Sequence, residues 1–249
     1  MIPINKWSEL RSKLKGDLYT GDSMRILYAT DASAYREMPA AVCRPMDEED
    51  LRTLIAFASS MKIPLIPRTA GTSLAGQVVG HGLVADVSKY MTRVLELNVE
   101  ERWVRVQPGV VLDELNKMLE PHGLFFGPET STSNRCMIGG MVGNNSCGSH
   151  SLVYGSTRDH TLEIKALLSD GSEAIFGPLS QQAFAGKCKL QNLEGSLYRS
   201  IRDMLQSPAN QAEIRAQYPD AALERRNTGY ALDLLLETAP FTSGAADFN

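Results

Sequence analysis

Cysteine is scarce in this chain of 249 residues, and no two of its four cysteines are spaced as C-x-x-C. Cys43, Cys136, Cys147 and Cys188 therefore carry no zinc or cluster signature and read as free, mostly buried thiols. There is no apolar run of about 18 residues, so no transmembrane segment is expected. Met1 to Leu18 mixes Lys, Glu, Arg and Asp with apolar residues, whereas a signal peptide needs an uncharged apolar core. The expected location is cytoplasmic, with peripheral attachment at a membrane left open. Basic residues are not in excess: the net charge of −4 argues against a nucleic-acid partner, which calls for a basic face. A hydrophobic content of 43% is ordinary for a globular protein, and a chain of this length needs no disulfide or metal to build its core.

Two familiar phosphate-binding signatures are also missing. Gly71 and Gly76 have the spacing of the two P-loop glycines, but Gln77 and Val78 stand where the Lys and the Ser or Thr belong. Without that cation and that magnesium-binding hydroxyl, nucleotide hydrolysis is not expected. The G-x-G-x-x-G spacing of dinucleotide-binding strands is absent as well.

Short helical and strand patterns alternate along the chain. Trp7 to Lys15 reads as an amphipathic helix stopped by Gly16, followed by an extended arm over Tyr19 to Pro39. Asp47, Glu48, Glu49 and Asp50 suit the first turn of a helix carrying Leu51, Leu54, Ile55 and Ala58. Ile63 to Pro67 is a short buried strand whose prolines restrict it to irregular or edge-type pairing, and Leu83 to Val87 is another strand. Val94 to Asn98 and Trp103 to Gln107 alternate as a hairpin, and Val111 to Leu119 is helical up to Pro121 and Gly123. Residues 127–154 read as one long functional loop. Leu162 to Leu168 and Ser172 to Phe176 form a hairpin around Asp170-Gly171. Helices are expected over Leu197 to Leu205, Glu213 to Ala216 and Ala231 to Leu236. The class is α+β.

Against this background two small-residue segments stand out. One is Pro67-Arg68-Thr69-Ala70-Gly71-Thr72-Ser73-Leu74-Ala75-Gly76; the other is Gly139-Gly140-Met141-Val142-Gly143-Asn144-Asn145-Ser146-Cys147-Gly148. Glycine lets the main chain take positive φ and lie against a ligand, and successive amides aimed inward form an anion-binding nest. Two such segments suit a long ligand with a pyrophosphate in its middle.

In this order, and with Tyr154-Gly155-Ser156-Thr157-Arg158-Asp159-His160, Leu168-Ser169-Asp170-Gly171 and Arg226-Asn227-Thr228-Gly229-Tyr230, they resemble the PCMH-type FAD-binding domain of the vanillyl-alcohol-oxidase superfamily. The similarity is greatest to the D-lactate, glycolate and D-2-hydroxyglutarate dehydrogenase group. It runs from about Tyr28 to Leu236.

The resemblance implies an N-terminal helix and arm over residues 1–35 and an FAD-binding domain over 36–249. That domain would comprise two α/β subdomains, about 44–95 and about 98–249. The second would be incomplete at its C-terminal end, and the substrate domain would lie elsewhere. Pro67 and Arg68 to Gly76 would bind the pyrophosphate through backbone amides, with Thr72 and Ser73 adding hydroxyl donors. Pro128, Thr130 and Ser131 would lie near the isoalloxazine and ribityl chain. Gly139, Gly140, Gly143 and Gly148 would wrap the ring and phosphates, and Asn144, Asn145 and Ser146 would hydrogen-bond the pyrimidine edge or ribityl hydroxyls. The Asn pair taken alone reads as a satisfied turn. Ile164 matches a position whose main chain contacts the adenine end, while a lone Ile in a strand reads as core packing.

Some relatives attach the flavin to a His in the first loop; here that position is Thr72, so FAD is expected to be non-covalent. His150 and His160 read as satisfied loop or core histidines, and His122 as part of a helix C-terminal turn. Arg225 and Arg226 would meet an FAD phosphate or a substrate carboxylate, or form a solvated basic turn. No residue is assigned as catalytic and none as a metal ligand; any iron–sulfur cluster would belong to regions outside this chain.

The implied activity is oxidation of a small D-2-hydroxy acid. Electrons would pass to a quinone, a cytochrome, an iron–sulfur protein or oxygen. The alternatives are a non-catalytic flavin or electron-transfer module, and another oxidoreductase on the same fold, such as the cell-wall enolpyruvyl reductase.

Overall fold

The computed structural model describes residues 2–220, 222–223 and 229–249. The chain forms two compact units, residues 1–160 and 161–249.

The first unit is organised by a four-stranded sheet. Helix α1 (Ile4–Lys13) starts after Pro3 and precedes strand β1 (Asp17–Tyr19). It begins three residues before Trp7, directly after the extended Pro3. The expected arm contains helix α2 (Asp22–Leu27), too short to show a clear period. Strand β2 (Ala41–Arg44), helix α3 (Glu48–Met61), strand β3 (Leu65–Arg68) and strand β4 (Leu83–Asp86) follow. The strand order is β1-β2-β4-β3, with β1 antiparallel to β2, and β4 parallel to both β2 and β3. Pro67 sits in β3 at the sheet edge, where its missing N–H removes no ladder bond from an inner strand; as an edge strand β3 is only half-buried, with Pro67 exposed, and not the buried strand expected.

Strand β4 is fully buried and β2 is buried up to Cys43, and both feed the two faces of the sheet. Cys43, Leu83 and Ala85 pack with Leu10, Leu18 and Leu54, under α1 and α3. Val42 and Val84 face the other way, onto Tyr28, Met24 and Ile66. Burial, with smaller contributions from the Asp50 and Asp17 charges, pushes the Cys43 thiol up to about 12, so it stays protonated in neutral solution.

Asp47 caps α3, accepting from the Glu49 and Asp50 amides at 3.1 Å each. Asp50 itself is 1% exposed. Its carboxylate accepts from the Lys15 amide at 2.9 Å and from the Gly16 and Met46 amides at 2.8 Å each. Gly16 cannot carry a side chain there, since a Cβ would lie 2.1 Å from the Arg44 carbonyl oxygen.

Strands β5 (Val94–Asn98) and β6 (Trp103–Val106) form an antiparallel hairpin. They pack on helix α4 (Leu112–Leu119), whose Leu115 and Leu119 line one stripe. A short 3-10 turn over Glu120–His122 ends at Gly123, with φ +67. The long segment 127–154 is not one loop: it holds helix α5 (Ile138–Asn144) and helix α6 (Ser151–Tyr154). Their glycines and short length gave no helical period. Leu112, Cys136 and Met141 lock α5 to α4.

In the second unit, strands β7 (Ile164–Leu167) and β8 (Glu173–Phe176) pair antiparallel, with Gly171 at φ +83 in the turn. Helices α7 (Gln181–Cys188), α8 (Leu193–Gln206), α9 (Pro208–Gln217) and α10 (Leu232–Leu236) complete it. Helix α7 escaped the sequence reading because only Phe184 and Cys188 of its residues are buried. Phe184 and Tyr198 centre one cluster, with Phe241 and Phe248; Leu205, Ile214 and Leu236 centre another. Among the described residues no helix is long and apolar enough to cross a membrane.

Asp50→Ala strands three amides at once. At about 0.5–1.5 kcal/mol for each of these part-buried bonds, the loss should reach about 2–4 kcal/mol in urea unfolding. A change below about 0.5 kcal/mol, the range of an ordinary surface substitution, would show that the Asp50 clamp contributes little.

Candidate functional site

The first glycine-rich segment leaves the C-terminal end of β3. Parallel pairing with β4 sets Arg68 opposite Asp86, and the Val87 amide donates to the Arg68 carbonyl at 3.0 Å. Asp86 is buried and accepts from the Tyr28 hydroxyl and, at 2.8 Å, from the Ser88 amide. Burial, then the hydrogen bond to Asp86, raises the Tyr28 phenol above its ordinary value and keeps it a neutral donor. Arg44 donates to the same hydroxyl at 2.9 Å, and Arg44 Nε lies 3.5 Å from Asp86 Oδ2. The Arg68 guanidinium carbon stands 5.1 Å from the Tyr28 ring centre, which makes Tyr28 a post for the loop.

Beyond Arg68 the chain turns at Gly71, with φ +69, and at Gly76, with φ +75. Both values lie where only glycine is unstrained. Thr69, Ala70, Thr72 and Ser73 are half-buried, and Leu74 is 80% exposed. The Ser73 hydroxyl oxygen is buried with no hydrogen-bond partner.

The second segment meets the first. A Cβ on Gly140 would lie 2.4 Å from Thr69 Oγ1, so α5 can approach the loop only because residue 140 is glycine. Gln77 Nε2 donates to Asn144 Oδ1 at 3.1 Å, joining the two segments a second time. Gly139 approaches Pro108, while the Gly143 Cα faces open space. Asn145 ends α5 in the left-handed region, and its side-chain oxygen accepts from the Arg158 amide at 2.9 Å. The Ser146 carbonyl accepts from Thr157 Oγ1 at 2.7 Å. The Asn145-Ser146 corner is thus tied to the Thr157-Arg158 stretch.

Pro128 is buried, Thr130 half-buried and Ser131 exposed. Thr130 Oγ1 lies 3.3 Å from Cys136 Sγ. A Cβ on Gly148 would lie 1.9 Å from the Glu129 carbonyl oxygen, which draws 128–131 against the end of the second segment. Ile164 lies in β7 of the second unit, paired with Phe176 and 37% exposed. Of the Arg225 to Tyr230 stretch, 225–228 lie outside the described residues; Gly229 has φ +92, and Tyr230 is exposed.

The histidines are engaged. His150 Nδ1 is 2.8 Å from Glu129 Oε2, His160 Nε2 is 2.6 Å from the Tyr154 carbonyl oxygen, and His81 Nε2 is 2.6 Å from Glu37 Oε2. His122 closes the 3-10 turn after α4. Sequence reasoning missed the backing of the first loop by residues 28–37, described below; its only signal was the tyrosine pair Tyr28 and Tyr35 in an otherwise featureless arm.

The FAD binding domain family profile matches residues 39–176. The chain is 40% identical to D-2-hydroxyglutarate dehydrogenase of Pseudomonas putida over 224 residues, 89% of this chain and 22% of that protein. It is 38% identical to the Escherichia coli protein of the same name, over 80% of this chain and 20% of that one. Glycolate oxidase subunit GlcD of Bacillus subtilis is 34% identical over 59% of this chain and 32% of its own length. The chain therefore spans about a fifth of the length of the hydroxyglutarate dehydrogenases it matches. Among solved structures, alkyldihydroxyacetonephosphate synthase superposes with a TM-score of 0.62 at 20% identity, over 71% of this chain and 35% of that one. The 6-hydroxy-D-nicotine oxidase of Arthrobacter nicotinovorans gives 0.57 at 19% identity, over 66% and 36%. At these identities the structural likeness speaks for the fold alone. The chain belongs to the FAD binding domain family, with the PCMH-type fold and FAD as its cofactor.

Proposed function

We propose that this chain is the FAD-binding portion of a flavin-dependent oxidoreductase that oxidises a D-2-hydroxy acid of the D-lactate, glycolate or D-2-hydroxyglutarate class. The observation that carries the binding role is the meeting of the two glycine-rich segments at Thr69–Gly140 and Gln77–Asn144. Support for the substrate class comes from the 40% identity to a D-2-hydroxyglutarate dehydrogenase over most of the chain.

The residues present fit the cofactor. The buried, unpartnered Ser73 hydroxyl and the amides around Gly71 and Gly76 offer donors to a pyrophosphate. Pro67, Arg68, Thr69, Ala70 and Thr72 complete that loop, and Thr72 offers no imidazole for covalent attachment. Gly139, Gly140 and Gly148 let the second segment close on Pro108, Thr69 and Glu129, Gly143 leaves open space for the ligand, and Asn144, Asn145 and Ser146 offer polar groups beside it. Pro128, Thr130 and Ser131 line the flavin and ribityl part. In this reading the FAD-binding domain runs over 36–249, with subdomains at about 44–95 and 98–249.

Bound FAD supplies the hydride acceptor; the chain's own residues bind it, orient it and set the charge around it. The substrate base is assigned to no residue here, in keeping with the engagement of His81, His150 and His160. The electron acceptor belongs to the class of quinones, cytochromes, iron–sulfur proteins or oxygen. Attachment at a membrane surface is compatible with this reading.

Gly140→Ala should lower FAD affinity by about tenfold or more, because the new methyl must displace the Thr69 side chain. Ser73→Ala should lower it by roughly five- to thirtyfold while leaving the Tm of the ligand-free chain unchanged or raised, since its hydroxyl has no partner to lose. Fluorescence titration with FAD and thermal melts measure both. Unaltered affinity in both variants would remove the first segment from the binding site.

The activity is tested on the protein in its full length, by following bleaching of the visible flavin band under anaerobic conditions. D-2-hydroxyglutarate, D-lactate or glycolate should bleach it and NADPH should not. Bleaching by NADPH alone would assign the protein to a reductase on the same fold.

A further inference from the structure

Residues 28–37 form a tight turn outside the stretch matched by the family profile, which begins at residue 39. Thr30 and Arg36 make an antiparallel bridge, and the Glu37 amide donates to the Ala29 carbonyl at 2.9 Å. The turn closes on the first glycine-rich loop. The Ala32 amide donates to the Gly71 carbonyl at 3.1 Å, and Tyr35 packs on Gly76 so closely that a Cβ there would lie 2.7 Å from Tyr35 Cδ2. Arg68 Nη1 also reaches the Tyr28 carbonyl at 3.4 Å.

Asp31 sits next to Ala32 in this turn. Its Oδ1 accepts from the Ser33 amide at 2.8 Å, which fixes the carboxylate in one orientation. Its Oδ2 is buried and has no hydrogen-bond partner. A buried carboxylate oxygen without a donor is costly, and an ionised carboxylate can only accept hydrogen bonds. A phosphate offers no donor and repels it. A phosphate can thus satisfy the Ser73 hydroxyl, two residues beyond Gly71, but not Asp31. A ligand that carries a hydroxyl beside a phosphate satisfies both. In FAD such hydroxyls flank the pyrophosphate on each side, on the adenosine ribose and on the ribityl chain.

We infer that Asp31 is a further FAD-binding residue, its Oδ2 accepting a hydrogen bond from a sugar hydroxyl next to the pyrophosphate held by Arg68 to Gly76. This assignment rests on the FAD-binding reading of that loop.

The test compares FAD binding by the wild-type chain, Asp31→Ala and Asp31→Asn, with ADP and FMN as competitors and thermal melts of each ligand-free protein. Asp31→Ala should weaken FAD binding by roughly ten- to a hundredfold, and Asp31→Asn by less. Asp31→Asn preserves the acceptor for the Ser33 amide, so its ligand-free Tm should equal or exceed that of wild type. A loss shared by ADP but not FMN places the hydroxyl on the ribose; a loss shared by FMN but not ADP places it on the ribityl chain. FAD affinities of both variants within about twofold of wild type overturn the assignment. So does an equal loss for ADP and FMN, which traces the effect to the shape of the phosphate loop. A wild-type chain that binds no FAD overturns the loop reading itself, and the Asp31 assignment with it.

Discussion

The approach of Gly140 to Thr69 is the constraint on which the candidate site depends. A side chain at residue 140 of α5 would begin 2.4 Å from Thr69 Oγ1 and could enter only by pushing the Thr69 side chain aside. Two segments separated by about seventy residues are thereby held side by side, and Gln77 and Asn144 repeat the connection on the exposed rim. Each segment is fixed independently at its base. The first hangs from the edge of a parallel sheet and rests on Tyr28, itself held by Asp86 and Arg44. The second is locked by Met141 against Leu112 and Cys136, and by Gly139 against Pro108.

This division of labour is physical. The two inner strands of the sheet are sealed from solvent, with Val42, Cys43, Val84 and Ala85 at most 1% exposed. The loops above it retain polar atoms with no protein partner, Ser73 Oγ and Asp31 Oδ2 among them. Such groups cost stability in the free protein and gain a partner only when a ligand supplies one. A rigid base carrying an unsatisfied rim is how a scaffold positions binding groups without letting the scaffold itself move.

Much of the fold was legible where one residue type has one physical use. Asp47 before an acidic first turn marked the start of α3, Pro67 marked an edge strand, and Asp170-Gly171 marked the turn between β7 and β8. Helices α2, α5 and α7 were not legible, because each buries too few side chains to show a period: Met141 alone is buried in α5. In the site, both glycine-rich segments could be read as loops that let a ligand approach. Their meeting could not, since it depends on the depth to which α5 sinks toward Thr69. The turn that carries Asp31 was equally hidden, for its contacts with Gly71 and Gly76 cross some forty residues of sequence without a motif.

The central claim is that the two glycine-rich segments together form a cradle for FAD. The most direct measurement is the visible absorption spectrum of the purified 249-residue chain after FAD is added and the excess removed by desalting. The account predicts a retained flavin spectrum at close to one FAD per chain. A colourless chain that melts cooperatively, and is therefore folded, would contradict it.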